Sequence, residues 1–134
     1  MNRKPIILVV DDEKSVLELF HRILKEDEYT VLTANNGKEA LELADKKRPD
    51  LVILDLKLTG IHGIEVLRRI KKIDENIAVI AMTGFGTIKT VKEAMRLGAQ
   101  DYITKPFDIN YVSNLIKETL PSIFLKNDLL GEIK

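Results

Sequence analysis

The chain has 134 residues, 21 Lys+Arg against 21 Asp+Glu, 45% apolar residues, and neither Cys nor Trp. At ~100–200 residues per domain this fits one domain with a single core, and the apolar fraction excludes a disordered chain. Zero formal charge argues against a general binder of nucleic acid or anionic lipid, and the lack of cysteine excludes a disulfide scaffold, a thiol nucleophile and cysteine-held zinc.

The first apolar run, Ile6 to Val10, is too short for a signal segment or a membrane span, so a cytoplasmic location is expected. Its β-branched, non-alternating character matches a parallel strand covered on both faces, as do Leu51 to Leu54 and Ile77 to Ala81. Tyr29 to Ala34 and Asp101 to Thr104 carry more polar side chains and read as edge strands.

Helical spacing separates these runs. Val16, Leu17, Phe20, Ile23 and Leu24 form one stripe, and Ala40, Leu43 and Ala44 a narrower one. Ile64, Leu67 and Ile70 follow, then Ile88, Val91, Ala94 and Met95, and finally Val112, Leu115, Ile116 and Leu120. Asn36 with Glu39 predicts a capping box, Gly98 a helix C′ glycine, and Asp108 the cap of the last helix. The chain thus reads as five β-α units, a three-layer α/β domain. With the polar strands at the edges and sequential strands adjacent, the order is 2-1-3-4-5, the doubly wound, flavodoxin-like arrangement. Such sheets bind ligands beyond the strand carboxyl ends, where the winding reverses between strands one and three.

At those ends stand Asp11 and Asp12 after strand one, Asp55 after strand three, Thr83 near strand four, and Lys105 after strand five. Clustered carboxylates repel one another unless a cation sits among them, and all-oxygen ligation selects Mg²⁺ or Mn²⁺ over zinc. Asp55 is a candidate nucleophile toward phosphorus, with Thr83, Lys105 and the metal available to neutralise phosphoryl oxygens. No Walker loop or nucleotide-binding glycine fingerprint occurs in the sequence, so the phosphoryl donor comes from another molecule.

Val9-Val10-Asp11-Asp12-Glu13, Pro49 through Asp55, Met82-Thr83-Gly84 and Tyr102 through Phe107 resemble the motifs of two-component response regulator receiver domains. The resemblance covers about residues 5–120. It implies that Asp55 takes phosphate from a phosphohistidine, and that Asp11, Asp12, Asp55 and the Lys57 backbone carbonyl hold Mg²⁺. It further implies that Thr83 and Lys105 engage phosphoryl oxygens, that Tyr102 is the switch aromatic, and that the Lys105-Pro106 bond is cis. Arg48 through Lys57, Ile73 through Ile77 and Lys105 through Ile109 are similar to the single-domain phosphorelay carriers of sporulating bacteria. Thr59, where proline is common, His62, where an acid is common, and Tyr102, where that subfamily has histidine, depart from the pattern.

The implied protein is a signalling phosphoacceptor that assists its own phosphorylation and dephosphorylation rather than an enzyme. Upstream it meets a sensor histidine kinase or histidine phosphotransferase, and downstream a phosphotransferase or effector. It makes no direct contact with nucleic acid or membrane and is expected to be a monomer. Lys57 and Phe85, two residues beyond Asp55 and Thr83, are expected to govern how water reaches a phosphoaspartate. His21 falls on the polar side of the first helix, and His62 lies in a turn between Gly60 and Gly63.

Competing readings are an aspartate-nucleophile hydrolase of the haloacid-dehalogenase type, a flavodoxin-like FMN carrier, and a receiver-like module that is never phosphorylated. The hydrolase places a second aspartate two residues beyond its nucleophile after the first strand, whereas Asp11 is followed there by Glu13. An FMN phosphate would be repelled by Asp11-Asp12. Residues 1–121 are expected to form the domain, with Pro121 ending the last helix or starting a new turn. The tail, 122–134, carries Leu125, Leu129 and Ile133 at helical spacing and would be a short helix or the stub of a linker in a larger transcriptional regulator.

Overall fold

The computed structural model describes residues 3–84 and 88–132, with residues 121–132 as backbone only; Phe85 and Ile133 lie outside the described residues. Strands β1 (Ile6–Val10), β2 (Thr30–Ala34), β3 (Leu51–Asp55), β4 (Ala78–Thr83) and β5 (Asp101–Thr104) alternate with helices α1 (Lys14–Glu26), α2 (Gly37–Lys47), α3 (Gly63–Ile73), α4 (Ile88–Arg96) and α5 (Ile109–Glu132). The strands form one fully parallel sheet in the order β2-β1-β3-β4-β5. This is the doubly wound arrangement read from the sequence.

Alternation along the strands divides the core in two. Leu8, Val10, Val52, Leu54, Val79 and Ala81 face α2 and α3 and the buried Ala94 of α4. Ile7, Val9, Leu51, Ile53, Ala78, Ile80 and Met82 face α1 and α5. Right-handed crossovers explain the division, because β1 to β2 steps one way along the sheet and the next three connections step the other. The three central strands are therefore apolar at successive positions, while β2 and β5 at the edges keep partly exposed residues.

Local signals hold the helix ends. The Asn36 side chain accepts from the Glu39 N–H at 2.8 Å, and Glu39 accepts in return from the Asn35 N–H at 2.9 Å. Gly98 has φ +108°, with its N–H on the Met95 carbonyl and the Ala99 N–H on the Ala94 carbonyl, the 5→2 and 6→1 bonds of a Schellman end. Asp108 accepts from the Asn110 and Tyr111 N–H groups. At the amino end of the sheet, Asp50 accepts from the Ile6 N–H and takes a bidentate pair from Arg3.

Two expectations are corrected. The apolar stripe of α4 does not face the core as a unit: Ala94 is buried, yet Ile88 and Met95 are exposed. At about 100° per residue, Ile88 and Met95 share a side of the helix turned about 100–120° away from Ala94. Pro121 does not end α5, which continues through it to Glu132. Proline removes one donor, the one that would face the Lys117 carbonyl, and the helix passes through that gap.

Phe20 of α1 is buried and stacks at 5.2 Å between ring centroids on Phe107, two residues after Lys105. Phe20→Ala is expected to lower the unfolding free energy by about 3–5 kcal/mol, measured by urea denaturation, as large-to-small changes of buried aromatics do.

Candidate functional site

The sheet ladder continues just past the strand ends and sets the positions of the polar residues there. The Asp11 N–H donates to the Ala34 carbonyl at 3.1 Å, Leu56 N–H to Met82 at 3.0 Å, and Lys105 N–H to Thr83 at 2.7 Å. Parallel pairing thus brings the termini of β1, β3, β4 and β5 to one edge, with Thr83 opposite Thr104 in register. These residues open onto a cleft of about 1050 Å³ lined by Asp12, Glu13, Asp55, Lys57, Thr83 and Lys105 among others.

Carboxylate oxygens of Asp11, Asp12 and Asp55 lie within 4.8 Å of one another. Asp11 is fully buried and Asp55 nearly so, whereas Asp12 is exposed. One oxygen of each buried acid is fixed by backbone: Asp11 Oδ1 accepts from Glu13 N–H and Asp55 Oδ1 from Lys57 N–H, both at 2.9 Å. Their other oxygens meet the Lys105 ammonium, Asp11 Oδ2 at 2.6 Å and Asp55 Oδ2 at 3.2 Å. A third carboxylate, Glu13 Oε1, reaches the same ammonium at 3.3 Å.

The electrostatics follow from this crowding. Burial pushes the Asp11 carboxyl above the ordinary range, and the nearby Asp55 charge adds to the push. The Lys105 and Glu13 N–H donors oppose it incompletely. Burial alone would lower the Lys105 ammonium, but the Asp11 and Asp55 carboxylates outweigh it and hold the group above its usual value. An oxygen-only set of three acids, one of them reluctant to charge, suits a hard divalent cation. Thr83 supplies a second indication: its hydroxyl is buried and has no hydrogen-bond partner among the described residues. A buried unpaired hydroxyl costs free energy and marks where an acceptor fits.

Asp11, Asp12, Asp55, Thr83 and Lys105 are therefore brought together. Lys57 is exposed and lines the cleft, its backbone tied to Asp55. The Lys105-Pro106 peptide is cis. Tyr102 points outward on β5 with 41% of its surface exposed. His21 is exposed on α1 and lines a second, smaller cleft that Asp12 also borders, while His62 lines the main one. Sequence reasoning missed Glu13 as a partner of Lys105, because no local pattern links residues 92 positions apart.

Residues 7–117 match the family model of the response regulator receiver domain. The chain is 44% identical to sporulation initiation phosphotransferase F of Bacillus subtilis (strain 168), over 90% of this chain and 96% of that protein. It is 35% identical to the alkaline phosphatase synthesis transcriptional regulatory protein PhoP of the same strain, covering all of this chain but only 60% of that one. Among solved structures, it superposes with TM-score 0.90 on a CheY-like response regulator receiver domain protein from Methanospirillum hungatei JF-1. The two are 27% identical, over 92% of this chain and 99% of the other. The receiver domain of NtrX from Brucella abortus matches at TM-score 0.80 and 35% identity, over 85% and 97% of the two chains.

Gly63 shows how closely the backbone crowds the site. A Cβ there would meet the Leu56 Cα and would lie 2.6 Å from the Asp55 carbonyl oxygen. Gly63→Ala is expected to lower stability by about 1–3 kcal/mol, the usual range for overpacking, and to shift the Asp55 amide resonance in an ¹H–¹⁵N spectrum.

Proposed function

The chain belongs to the response regulator receiver family, and from that membership we propose that Asp55 is its phosphoacceptor. A phosphohistidine of a sensor kinase or histidine phosphotransferase is the donor. A carboxylate oxygen of Asp55 attacks phosphorus, the P–N bond breaks with its electron pair going to that ring nitrogen, and the imidazole, already protonated on its other ring nitrogen, leaves neutral. The observation that carries this reading is the gathering of three groups in one cleft: a buried carboxylate, an ammonium at 3.2 Å from it, and a buried hydroxyl with no partner among the described residues.

Each side chain then has a task. Lys57 N–H orients Asp55 through Oδ1, and the Lys105 ammonium stands ready for a phosphoryl oxygen once the group has arrived. The Thr83 hydroxyl, with no partner among the described residues, donates to another phosphoryl oxygen. Phosphoryl transfer relies on such positioning and charge neutralisation. Asp11, Asp12, Asp55 and the Lys57 carbonyl are the groups that would hold Mg²⁺ or Mn²⁺, which when bound neutralises charge on the phosphoryl oxygens. With these groups the domain assists its own phosphorylation and dephosphorylation, and Lys57 at the mouth of the cleft bears on how water enters.

Receiver domains are signalling proteins, and the output here follows from Thr83. Movement of its hydroxyl toward phosphate vacates space beside β5 into which Tyr102 turns. That biases a pre-existing equilibrium of the surface formed by α4, β5 and α5, where Ile88, Met95, Tyr102, Ile109 and Tyr111 are exposed. The 44% likeness to a phosphotransferase across nearly all of both chains favours relay of the phosphoryl group to a second histidine. Likeness to part of PhoP supports the alternative, a switch acting on an effector. Residues 1–121 form the receiver domain in this reading and 122–134 its tail. Among the described residues no helix is long and apolar enough to cross a membrane.

Incubation with acetyl phosphate and Mg²⁺ is expected to add one acid-labile phosphoryl group to the wild type and none to Asp55→Asn, read by intact-mass measurement. An acid-stable adduct, or one persisting in Asp55→Asn, contradicts the assignment. Mg²⁺ at roughly 100 times its Kd is expected to stabilise the wild type by about 2.7 kcal/mol. In thermal melts Asp12→Ala loses most of that Mg²⁺-dependent rise in Tm, while without Mg²⁺ it melts no lower than the wild type, since a repelling charge has gone.

A further inference from the structure

We propose that Glu13 is a positioning residue for Lys105, the carboxylate that releases the ammonium when a phosphoryl group arrives on Asp55. The inference rests on the reading of Asp55 as phosphoacceptor and adds how the site exchanges one anionic partner for another.

Glu13 is the N-cap residue of α1, with φ −91° and ψ 114°, yet its side chain makes no capping hydrogen bond. Its Oε1 instead lies 3.3 Å from Lys105 Nζ. A lysine ammonium has three protons to donate, and here three acceptors surround it: Asp11 at 2.6 Å, Asp55 at 3.2 Å and Glu13 at 3.3 Å. The ammonium thus has two hydrogen bonds, to Asp55 and Glu13, and an ion-pair contact with Asp11 before any phosphoryl oxygen approaches, so an arriving oxygen competes with one of these partners.

The three partners differ in what release costs. Asp11 is wholly buried, so losing Lys105 would strand a charge away from water, which is strongly unfavourable. Asp55 carries the phosphoryl group itself and stays in place. The Glu13 side chain is 61% exposed, so its carboxylate on release is taken up by water, and an exposed ion pair of this kind contributes little. Glu13 is therefore the partner that yields. Until then it holds Lys105 on the solvent side of the cleft and competes with the incoming phosphoryl oxygens.

The test uses acetyl phosphate with saturating Mg²⁺; the Asp55–phosphorus bond forms as the acetyl oxygen–phosphorus bond breaks and acetate leaves with the electron pair. Glu13→Gln and Glu13→Asp are both expected to phosphorylate about two- to fivefold faster than wild type, matching the strength of an exposed pair. Glu13→Asp keeps the charge but shortens the arm, which separates contact from distant field. Glu18→Gln, which removes an exposed charge of α1 that pairs only loosely with Lys14 at 3.9 Å, is expected to match wild type. In the unphosphorylated protein, the Lys105 ε-methylene and ammonium resonances shift in both Glu13 variants and not in Glu18→Gln. Unchanged rates in both Glu13 variants, acceleration in Glu13→Gln alone or equally in Glu18→Gln, or unmoved Lys105 resonances overturn the proposal. Failure of the wild type to take up any phosphoryl group instead overturns the reading of Asp55, and the yielding role with it.

Discussion

Parallel register is the constraint on which both core and site depend. Because β1, β3 and β4 run in one direction with neighbours on both sides, their side chains are enclosed on both faces and their carboxyl ends fall on one edge. The same ladder that aligns Val10 with Leu54 and Asp55 with Met82 extends to the N–H groups of Asp11, Leu56 and Lys105. Polar residues just past a strand end thus inherit positions set by the buried sheet. Backbone at that point is held by hydrogen bonds shielded from water, which is how three acids can be kept close together despite their repulsion.

The charge arrangement follows from this placement. A net charge of zero conceals a local excess of acid at the carboxyl edge, where Asp11, Asp55 and Glu13 stand around the Lys105 ammonium and Asp12 lies beside Asp11 and Asp55. Lys105 offsets part of that excess, while burial, with a smaller push from Asp55, keeps the Asp11 carboxyl above its ordinary range. Such an oxygen-only cluster suits a hard cation. The buried Thr83 hydroxyl has no hydrogen-bond partner among the described residues, which leaves a donor at the same edge.

Much of this was legible in the order of residues. Runs such as Leu51 to Leu54 read as buried parallel strands because only enclosure on both faces tolerates unbroken apolar character. Asp11, Asp12, Asp55 and Lys105 were visible as a site because each adjoins a strand end whose direction topology dictates. The α4 stripe misled, since hydrophobic spacing fixes which residues share a side of a helix and not which side the sheet covers. Ile88 and Met95 consequently stay in solvent while Ala94 is buried. Pro121 misled for a related reason: its missing N–H weakens the helix at one point, and whether a helix stops there depends on what surrounds it.

The sequence by itself determined the strand and helix sequence, the two-faced core and the identities of the groups gathered at the carboxyl edge, because these depend on local periodicity and on residues next to strand ends. The tertiary structure alone decided which groups touch. Lys105 meets Asp11, Asp55 and Glu13 across separations that no local pattern encodes, Thr83 is left without a partner among the described residues, and Tyr102 faces outward. Distances of a few ångströms between side chains from different strands arise from packing and register, which exist only once the whole sheet has formed.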